Sequence, residues 1–597
     1  MPREKRLIAT WDIETDPFLY GREPRPFCCG LAFQKTVEEI AHIEYTEFWG
    51  DDCLEKFYMH LGGIKQRLVI YAHNGGKFDF VYLLRMGLLE DPIKIINGRI
   101  VEARFAGHTL RDSYAIIPVP LAAYQKTEID YDTFEEESRE NHKREILDYL
   151  KDDCIFLLDL VVAFWERFGD NLTIGGTAIK ELKKRCPFDR TTNAHDEIFR
   201  PFYYGGRVQC FETGEIKSEK DLLIYDVNSM YPDVMRNYEH FVGDYFRVVS
   251  EFESHINYAT GELLRNSYKP YFIKVTGKNN GAIPTRAKDG SLDFECKRGT
   301  FNACSHELKI ALKYGLFEIE EIHELYIPQD TINFSAYVDE FITDKIEAKE
   351  KGDKIGELFA KLLLNSAYGK FGQNPRNYFD WVIVDIEGYE ERPYSLEIMP
   401  VDFGHDFVGP PYRMINAWAL YADYGDMEIW RKPAPVEKFF DVSVAASITS
   451  AARACLLEAI VNAERPIYCD TDSLMCEKLR GVRLHPTELG AWDLEATGTE
   501  AYIAGKKLYT MYGPALKDHD DGLYKKGEII PLKKACKGVQ LSPEEIKNLA
   551  MGQSVESHSH APNFKLTGET EYMQRILGAG KHTKLFDKFG ERINAGN

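Results

Sequence analysis

The chain has no C-x-x-C spacing among its twelve cysteines, which excludes the ligand pattern of the common structural zinc sites. The one adjacent pair, Cys28-Cys29, is too close for an ordinary disulfide, so reduced and mostly structural thiols are expected. Uninterrupted runs of about 18 apolar residues are lacking as well, so no membrane-spanning segment is expected. The first residues, Met1-Pro2-Arg3-Glu4-Lys5-Arg6, pass straight into an apolar strand without an h-region or cleavage site, which reads as a cytosolic chain. Internal repeats and low-complexity tracts are missing too. Positive charge is in short supply: 74 Lys and Arg against 95 Asp and Glu leave a net charge of −21. Phosphate binding needs local cations, but net charge is a sum, and a groove can be basic under an acidic surface. Basic clusters occur at Lys180–Arg185, Lys506-Lys507, Lys525–Lys537 and Lys581–Lys588, each of which also reads as plain solvated surface.

What is present is ample material for burial. Hydrophobic residues make up 44% and aromatics 13% of 597 residues, which describes a globular chain of roughly four domains. The first part alternates strands and helices: Leu7–Ile13 and Leu68–Ala72 read as apolar strands. Arg144–Phe164 reads as a helix with Ile146, Leu147, Leu150, Ile155 and Leu158 near a 3.6-residue period. Gly175-Gly176 and Gly205-Gly206 break the pattern. Strands at Leu222–Val227 and Pro466–Cys469 and a helix through Lys354–Tyr368 organise the second half. Two aromatic and polar stretches, about 240–340 and 373–438, read as insertions between them.

Two sets of carboxylates carry chemistry. In Trp11-Asp12-Ile13-Glu14-Thr15, Asp12 and Glu14 lie two apart on a strand, so alternation aims both at one face. Two acids held together are costly unless a cation lies between them. Asp79 follows just past the second strand, and Asp153 lies on the helix with Tyr149 four residues earlier on the same face. Four acids and a tyrosine on a ribonuclease-H-like strand–helix frame suit phosphodiester hydrolysis with two cations about 3.5–4 Å apart.

In the second set, an apolar strand ends in Asp226 within Tyr225-Asp226-Val227-Asn228-Ser229-Met230-Tyr231-Pro232. Another ends in Tyr468-Cys469-Asp470-Thr471-Asp472-Ser473. Unpaired carboxylates at strand ends destabilise a fold, and divalent cations remove that conflict, with magnesium the natural choice for oxygen ligands. Between these strands lies Lys361-Leu362-Leu363-Leu364-Asn365-Ser366-Ala367-Tyr368-Gly369-Lys370. At helical spacing Lys361, Asn365 and Tyr368 share one face, able to hold a triphosphate and stack on a nascent base pair.

Taken in order, these segments resemble family B DNA polymerases. The first set is similar to the three exonuclease motifs, Tyr149 and Asp153 matching Y-x-x-x-D, and the second to motifs A (D-x-x-S-L-Y-P, with Met230 for Leu), B and C (Y-x-D-T-D-S). The resemblance spans about residues 8 to 540. It implies an α/β and α+β multidomain fold, a ribonuclease-H-like 3′→5′ exonuclease domain followed by a right-hand polymerase with two palm insertions. The implied divisions are 1–170 exonuclease; 171–240 linker and first palm segment; 241–340 first insertion; 341–372 fingers; 373–438 second insertion; 439–537 palm; and 538–597 thumb. It further implies that Asp226, Val227 and Asp472 hold the polymerisation metals with Asp470 beside them, and that Asp12, Glu14 and Asp153 hold those of the exonuclease, with Asp79 and Tyr149 also catalytic. Tyr231 then blocks a ribose 2′-OH, Lys361, Asn365 and Lys370 serve substrate, and Tyr368 packs on the new base pair. Tyr203-Tyr204-Gly205-Gly206 looks like the Y-x-G-G that coordinates the two activities, and Lys507-Leu508-Tyr509 like the K-x-Y that grips the primer terminus.

The compact length points within the family to the protein-primed subgroup of small Bacillus phages, adenoviruses and linear plasmids. Lys126-Thr127-Glu128-Ile129 resembles that subgroup's K-x-x-h element. Thr15, Asn74, Phe78 and Ser113 match its residues for the frayed primer strand, with Tyr114 where the subgroup has leucine. The subgroup implies two Mg²⁺ per active site with Mn²⁺ as substitute, primer–template and single-stranded DNA, dNTPs and a terminal protein as partners, a monomer, no membrane, strand displacement, and host-cell cytoplasm if virus-encoded. A primer-independent polymerase of the same fold, and a nuclease with an inactive polymerase half, remain as alternatives.

Overall fold

The computed structural model describes residues 6–19, 22–37, 40–121, 127–249, 269–386, 393, 397–400, 412–415, 418–436, 438–519, 523–558, 561–568, 570–571, 574–577 and 584–585. Lys126, the acidic stretches Tyr389–Glu391 and Asp402–Asp406, and most of Lys581–Lys588 lie outside them.

The first sheet has seven strands in the spatial order Ile40–Trp49, Pro26–Val37, Leu7–Thr15, Leu68–Ala72, His108–Asp112, Arg99–Phe105, Leu89–Ile96. The three central strands run parallel and the outer ones antiparallel. Leu7–Thr15 shows why both faces are covered. Ala9, Trp11 and Ile13 turn to one side, where Trp11 stacks on Phe57 of the Cys53–Gly63 helix at 4.9 Å between ring centroids. Thr10, Asp12 and Glu14 turn to the other, where the 26-residue helix Lys143–Phe168 crosses and the Thr10 hydroxyl donates to the Cys154 carbonyl at 2.7 Å. The expected strands and helix are all present, with the helix extended at both ends.

The second large sheet is wholly antiparallel, in the order Ile529–Cys536, Leu508–Pro514, Trp492–Gly505, Gly214–Val227, Ser473–Leu479, Ala463–Asp470, Val208–Cys210. Its core is shared with the helices Met230–Asn237, Ser335–Lys351, Lys354–Phe371 and Val442–Asn462. Lys354–Phe371 starts where the Asp353 carboxylate accepts from Gly356 N at 2.9 Å, an N-cap that satisfies an orphan amide.

Val442–Asn462 is long and apolar enough by length and composition to cross a membrane, although Ser443, Ser447, Thr449, Ser450 and Arg453 interrupt it. Burial of 83% of its most apolar stretch marks it as the core helix of the second sheet. A helix that is apolar all round suits a protein interior as well as a bilayer.

Two of the smaller sheets bear on the frame. His240–Val249, Phe317–Ile332, Phe272–Asn279 and Arg298–Cys304 form a four-stranded sheet backed by the helix Ser305–Lys313. Phe379–Asp385, Met427–Pro433 and Ala419–Asp423 form a three-stranded sheet whose Ile383, Ala422, Met427 and Ile429 join the core of the first sheet. Phe564 and Leu566, near the C-terminus, enter that same core.

Candidate functional site

The first carboxylate set assembles as the alternation of its strand requires. Asp12 and Glu14 meet Asp153 so that one oxygen from each lies within 4.8 Å of the others, a grouping that could hold a metal ion. Asp79 opens the Asp79–Arg85 helix beside them, 1% exposed, and its Oδ1 is buried with no hydrogen-bond partner. Burial, Glu14, Asp79 and Asp153 push the Asp12 carboxyl well above the carboxylate range. Burial also pushes Asp79 up to about 8. Packed acids that resist ionisation are what a site shaped for a cation shows when none is bound. Tyr149 stands at the rim, its hydroxyl 3.2 Å from that of Tyr131. Burial and Glu14 hold it protonated.

This has a measurable consequence. A carboxyl whose pKa is raised by folding stabilises the fold below its unfolded value, near 4, and loses that contribution as pH rises through the folded value. Without divalent ions, melting temperature should therefore fall as pH rises, for Asp79 toward about 8. Added Mg²⁺ should restore more at pH 8 than at pH 6, by about 2–4 °C. Thermal melts in EDTA and in Mg²⁺ at both pH values check it. Equal Mg²⁺ stabilisation at the two would contradict it.

The neighbouring turn explains its glycines. Asn74 adopts φ +63°. A side chain at Gly75 would reach Ala72 at 2.7 Å, and one at Gly76 would meet the Ile100 carbonyl at 2.0 Å. Phe78 is half-buried, edge-on to Phe18, Tyr82 and Phe564 at 5.4–5.7 Å. Two residues expected to hold the primer strand, Ser113 and Thr15, are buried. Ser113 is fully buried, its hydroxyl donating to the Ala72 carbonyl at 3.1 Å with His73 Nδ1 at 3.0 Å. Thr15 is 6% exposed, its hydroxyl turned to the Asp16 carbonyl. Both serve the local backbone, while Tyr114, half-exposed beneath the Arg99 guanidinium at 4.8 Å, faces outward.

The second set lies at one end of the antiparallel sheet. Asp226 is paired with Ser473 across the ladder, and Val227 N donates to the Asp472 carbonyl at 2.8 Å, so Asp226 and Asp472 occupy adjoining rungs. Burial and Asp472 push Asp226 up to about 7, and burial with Asp470 pushes Asp472 to about 6. The turn is held at Thr471, φ +61°, whose amide donates to the Arg207 carbonyl at 2.7 Å. A side chain on Gly206 would reach Thr471 Oγ1 at 2.6 Å, so that glycine lets the Y-x-G-G segment lie against the acid-bearing hairpin. Asp470 is not turned toward the other two acids alone: both its oxygens accept from Lys507 Nζ, at 2.5 and 2.6 Å. Tyr509 is 6% exposed and packs on Tyr468 at 4.9 Å, so of the K-x-Y pair the lysine is the residue that reaches the acids.

Tyr231 and Tyr368 stack face to face, centroids 3.9 Å apart and planes 13° apart. Lys361 and Asn365 are exposed on the same helix face as Tyr368, while Leu362, Leu363 and Leu364 are buried behind. Lys370 departs from this group, lying beside Gly175 and Phe440 instead. Two residues past Tyr368, it lies about 200° around the helix, close to the opposite side.

Several site residues escaped the sequence reading. Asp493-Leu494-Glu495 repeats the acid-x-acid spacing of Asp12-Ile13-Glu14. Asp493 pairs with Asp226, and Glu495 at a bulge raises both Asp226 and Asp472 while accepting from Lys533 at 2.6 Å. That repeated spacing was the available signal. Arg453 and Glu307 had none: they form a buried pair, 3% and 1% exposed, with contacts of 2.7 and 2.9 Å. Arg453 also donates to the Tyr204 and Gly205 carbonyls at 2.8 and 2.9 Å, fixing the Y-x-G-G backbone. Tyr203 lies against Gly372, where a side chain would strike its ring at 2.4 Å.

Comparison with known proteins agrees with this geometry. The model of the family described as DNA polymerase type B, organellar and viral, matches residues 119–399. The DNA-directed DNA polymerase of Enterobacteria phage PRD1 is 41% identical over 97% of this chain and 100% of its own length. The DNA polymerase of Bacillus phage Nf is 24% identical over 67% of each chain. Phi29 DNA polymerase complexed with primer-template DNA superposes with a TM-score of 0.66 at 18% identity, covering 96% of this chain and all of that one, so the exonuclease and palm–fingers–thumb architecture is shared. With two carboxylate sites on that frame and a full-length relative of this similarity, the chain belongs to the organellar and viral type B DNA polymerases.

Proposed function

We propose that this chain is a protein-primed, processive and strand-displacing DNA polymerase that proofreads with its own 3′→5′ exonuclease while copying a small linear genome in a host cytoplasm. The observation that carries the reading is the assembly of two separate acid sets, Asp226 with Asp472 and Asp12 with Glu14 and Asp153, the first lying beside the Tyr231–Tyr368 stack. The oxygen-only donors fit Mg²⁺. Asp226, Asp472 and the Val227 carbonyl would hold it at one site, and Asp12, Glu14 and Asp153 at the other, where it supplies charge neutralisation and activation of the attacking oxygen.

The protein's own groups do the rest. Lys361 and Asn365 reach from their exposed helix face to the triphosphate. Lys507, held by Asp470, is oriented toward the primer terminus. Tyr149, kept protonated, offers a hydroxyl to orient attacking water at the exonuclease site. The Tyr231 ring closes the space a ribose 2′-OH would need. Tyr231→Ala should lower deoxy-over-ribonucleotide discrimination by roughly a hundredfold, read as the ratio of kcat/KM values. An unchanged ratio would remove Tyr231 from that role.

The Phe379–Pro433 sheet shares the first sheet's core, and Phe564 and Leu566 join it, which supports a closed path around DNA. The fitting test is a primed single-stranded circle. Synthesis should continue past the first full round into displaced strand by the chain alone, and stalling at the first duplex block counts against displacement. A terminal protein and a monomeric state belong to the same proposal. Initiation of labelled product on a protein hydroxyl would support the former, and a sedimentation mass of twice the chain would overturn the latter.

A further inference from the structure

Where the Lys354–Phe371 helix ends, two cations share one ring. The Arg190 guanidinium carbon lies 3.6 Å from the centroid of Phe440, and Lys370 Nζ lies 5.7 Å from it. Neither has an acidic partner among the described residues. The hydrogen bond from Arg190 goes to the Lys438 carbonyl at 2.8 Å. Backbone bonds between Thr191 and Phe439, 2.8 and 2.9 Å, tie together the two segments that carry Arg190 and Phe440. Burial lowers the pKa of each, and for Lys370 the nearby Arg190 lowers it further, as expected for like charges held close together. Many arginines of this acidic chain are spent on carboxylates, as Arg185 is on Glu181 and Glu340 and Arg465 on Glu212 and Glu477. Two like charges kept together without a carboxylate cost energy unless an anion joins them.

We propose that Arg190, with Lys370 across the Phe440 ring, holds a backbone phosphate of the single-stranded template just before it enters the polymerisation site. The inference rests on the polymerase reading. Lys370 lies two residues past Tyr368, about 3 Å further along the helix axis and on another face. A template base presented beside Tyr368 must connect to a strand passing that helix end, and its phosphate is the anion that geometry offers. A free triphosphate belongs instead to the Lys361 and Asn365 face. Arg190 is a positioning residue, acting on the template path and not on reacting atoms.

The test is fluorescence anisotropy in EDTA, so that no strand is degraded, with two labelled duplexes: one carrying a 5′ single-stranded template overhang and one with the template ending flush with the primer. Arg190→Ala should weaken binding of the overhang duplex roughly fivefold and lower its salt slope by about 0.7, the value for one single-strand phosphate, while leaving the flush duplex unchanged. Arg190→Lys keeps the charge and should recover most of the loss. Equal weakening on both duplexes, or Arg190→Lys failing as fully as Arg190→Ala, would overturn the proposal in favour of packing on Phe440. A raised dNTP KM with unchanged overhang binding would overturn it in favour of the nucleotide. Wild-type extension of the overhang duplex in Mg²⁺ and dNTPs tests the underlying polymerase reading separately.

Discussion

Asp472→Ala should abolish primer extension, lowering it by about 10³-fold or more, while 3′ trimming of the same primer continues at close to the wild-type rate. The magnitude follows from the position of the carboxylate. Asp472 sits on the rung next to Asp226; burial and Asp470 push Asp472 up to about 6, and burial and Asp472 push Asp226 up to about 7. Metal-centred stabilisation of transferring charge amounts to several kcal/mol, and each 1.36 kcal/mol is tenfold in rate. Trimming should persist because Asp12 and Glu14 lie on a different sheet and Asp153 on the helix that crosses it. The converse pair, Asp12→Ala with Glu14→Ala, should lose trimming and keep extension. A gel following one 5′-labelled primer reads both. Simultaneous loss of both activities in either mutant would show that the two sites are not independent.

Glu307→Ala should be the most destabilising single change outside either site, at about 3–5 kcal/mol. It leaves the Arg453 guanidinium buried at 3% exposure with its bidentate partner gone. The helix Val442–Asn462 that carries Arg453 is buried along most of its length, so no water reaches the orphaned charge easily. Because Arg453 also holds the Tyr204 and Gly205 carbonyls, the Y-x-G-G segment should loosen against Thr471. The double change Glu307→Ala with Arg453→Met removes both charges and should recover much of the melting temperature but not the positioning of that segment. Thermal melts of the three variants check it. A double mutant no more stable than Glu307→Ala would show that the cost lies in packing and not in the unpaired charge.

How much of this was legible follows from the range of each interaction. Asp12 and Glu14 were readable because a strand's period of two acts within five residues, and Asp226 and Asp470 because each lies at the end of an apolar strand, with Asp472 in the turn that follows. The face shared by Lys361, Asn365 and Tyr368 was readable from helical spacing. What needed the structure were contacts between distant segments. Glu307 and Arg453 are joined across the insertion and the core helix, with nothing local to mark either. Ser113, Thr15 and Tyr509 match family positions, yet burial is decided by neighbours the sequence does not display, and here it turns their side chains inward. Lys370 shares a motif with Tyr368 but not a face.

The central claim is that one chain carries both a polymerising and a degrading site. The most direct measurement is incubation of wild-type protein with a 5′-labelled primer paired to a longer template in Mg²⁺, with and without dNTPs. The account predicts extension to the template end when dNTPs are present and stepwise shortening from the 3′ end when they are not. Shortening in both conditions, with no product longer than the primer, would contradict it and leave the chain a nuclease on a polymerase frame.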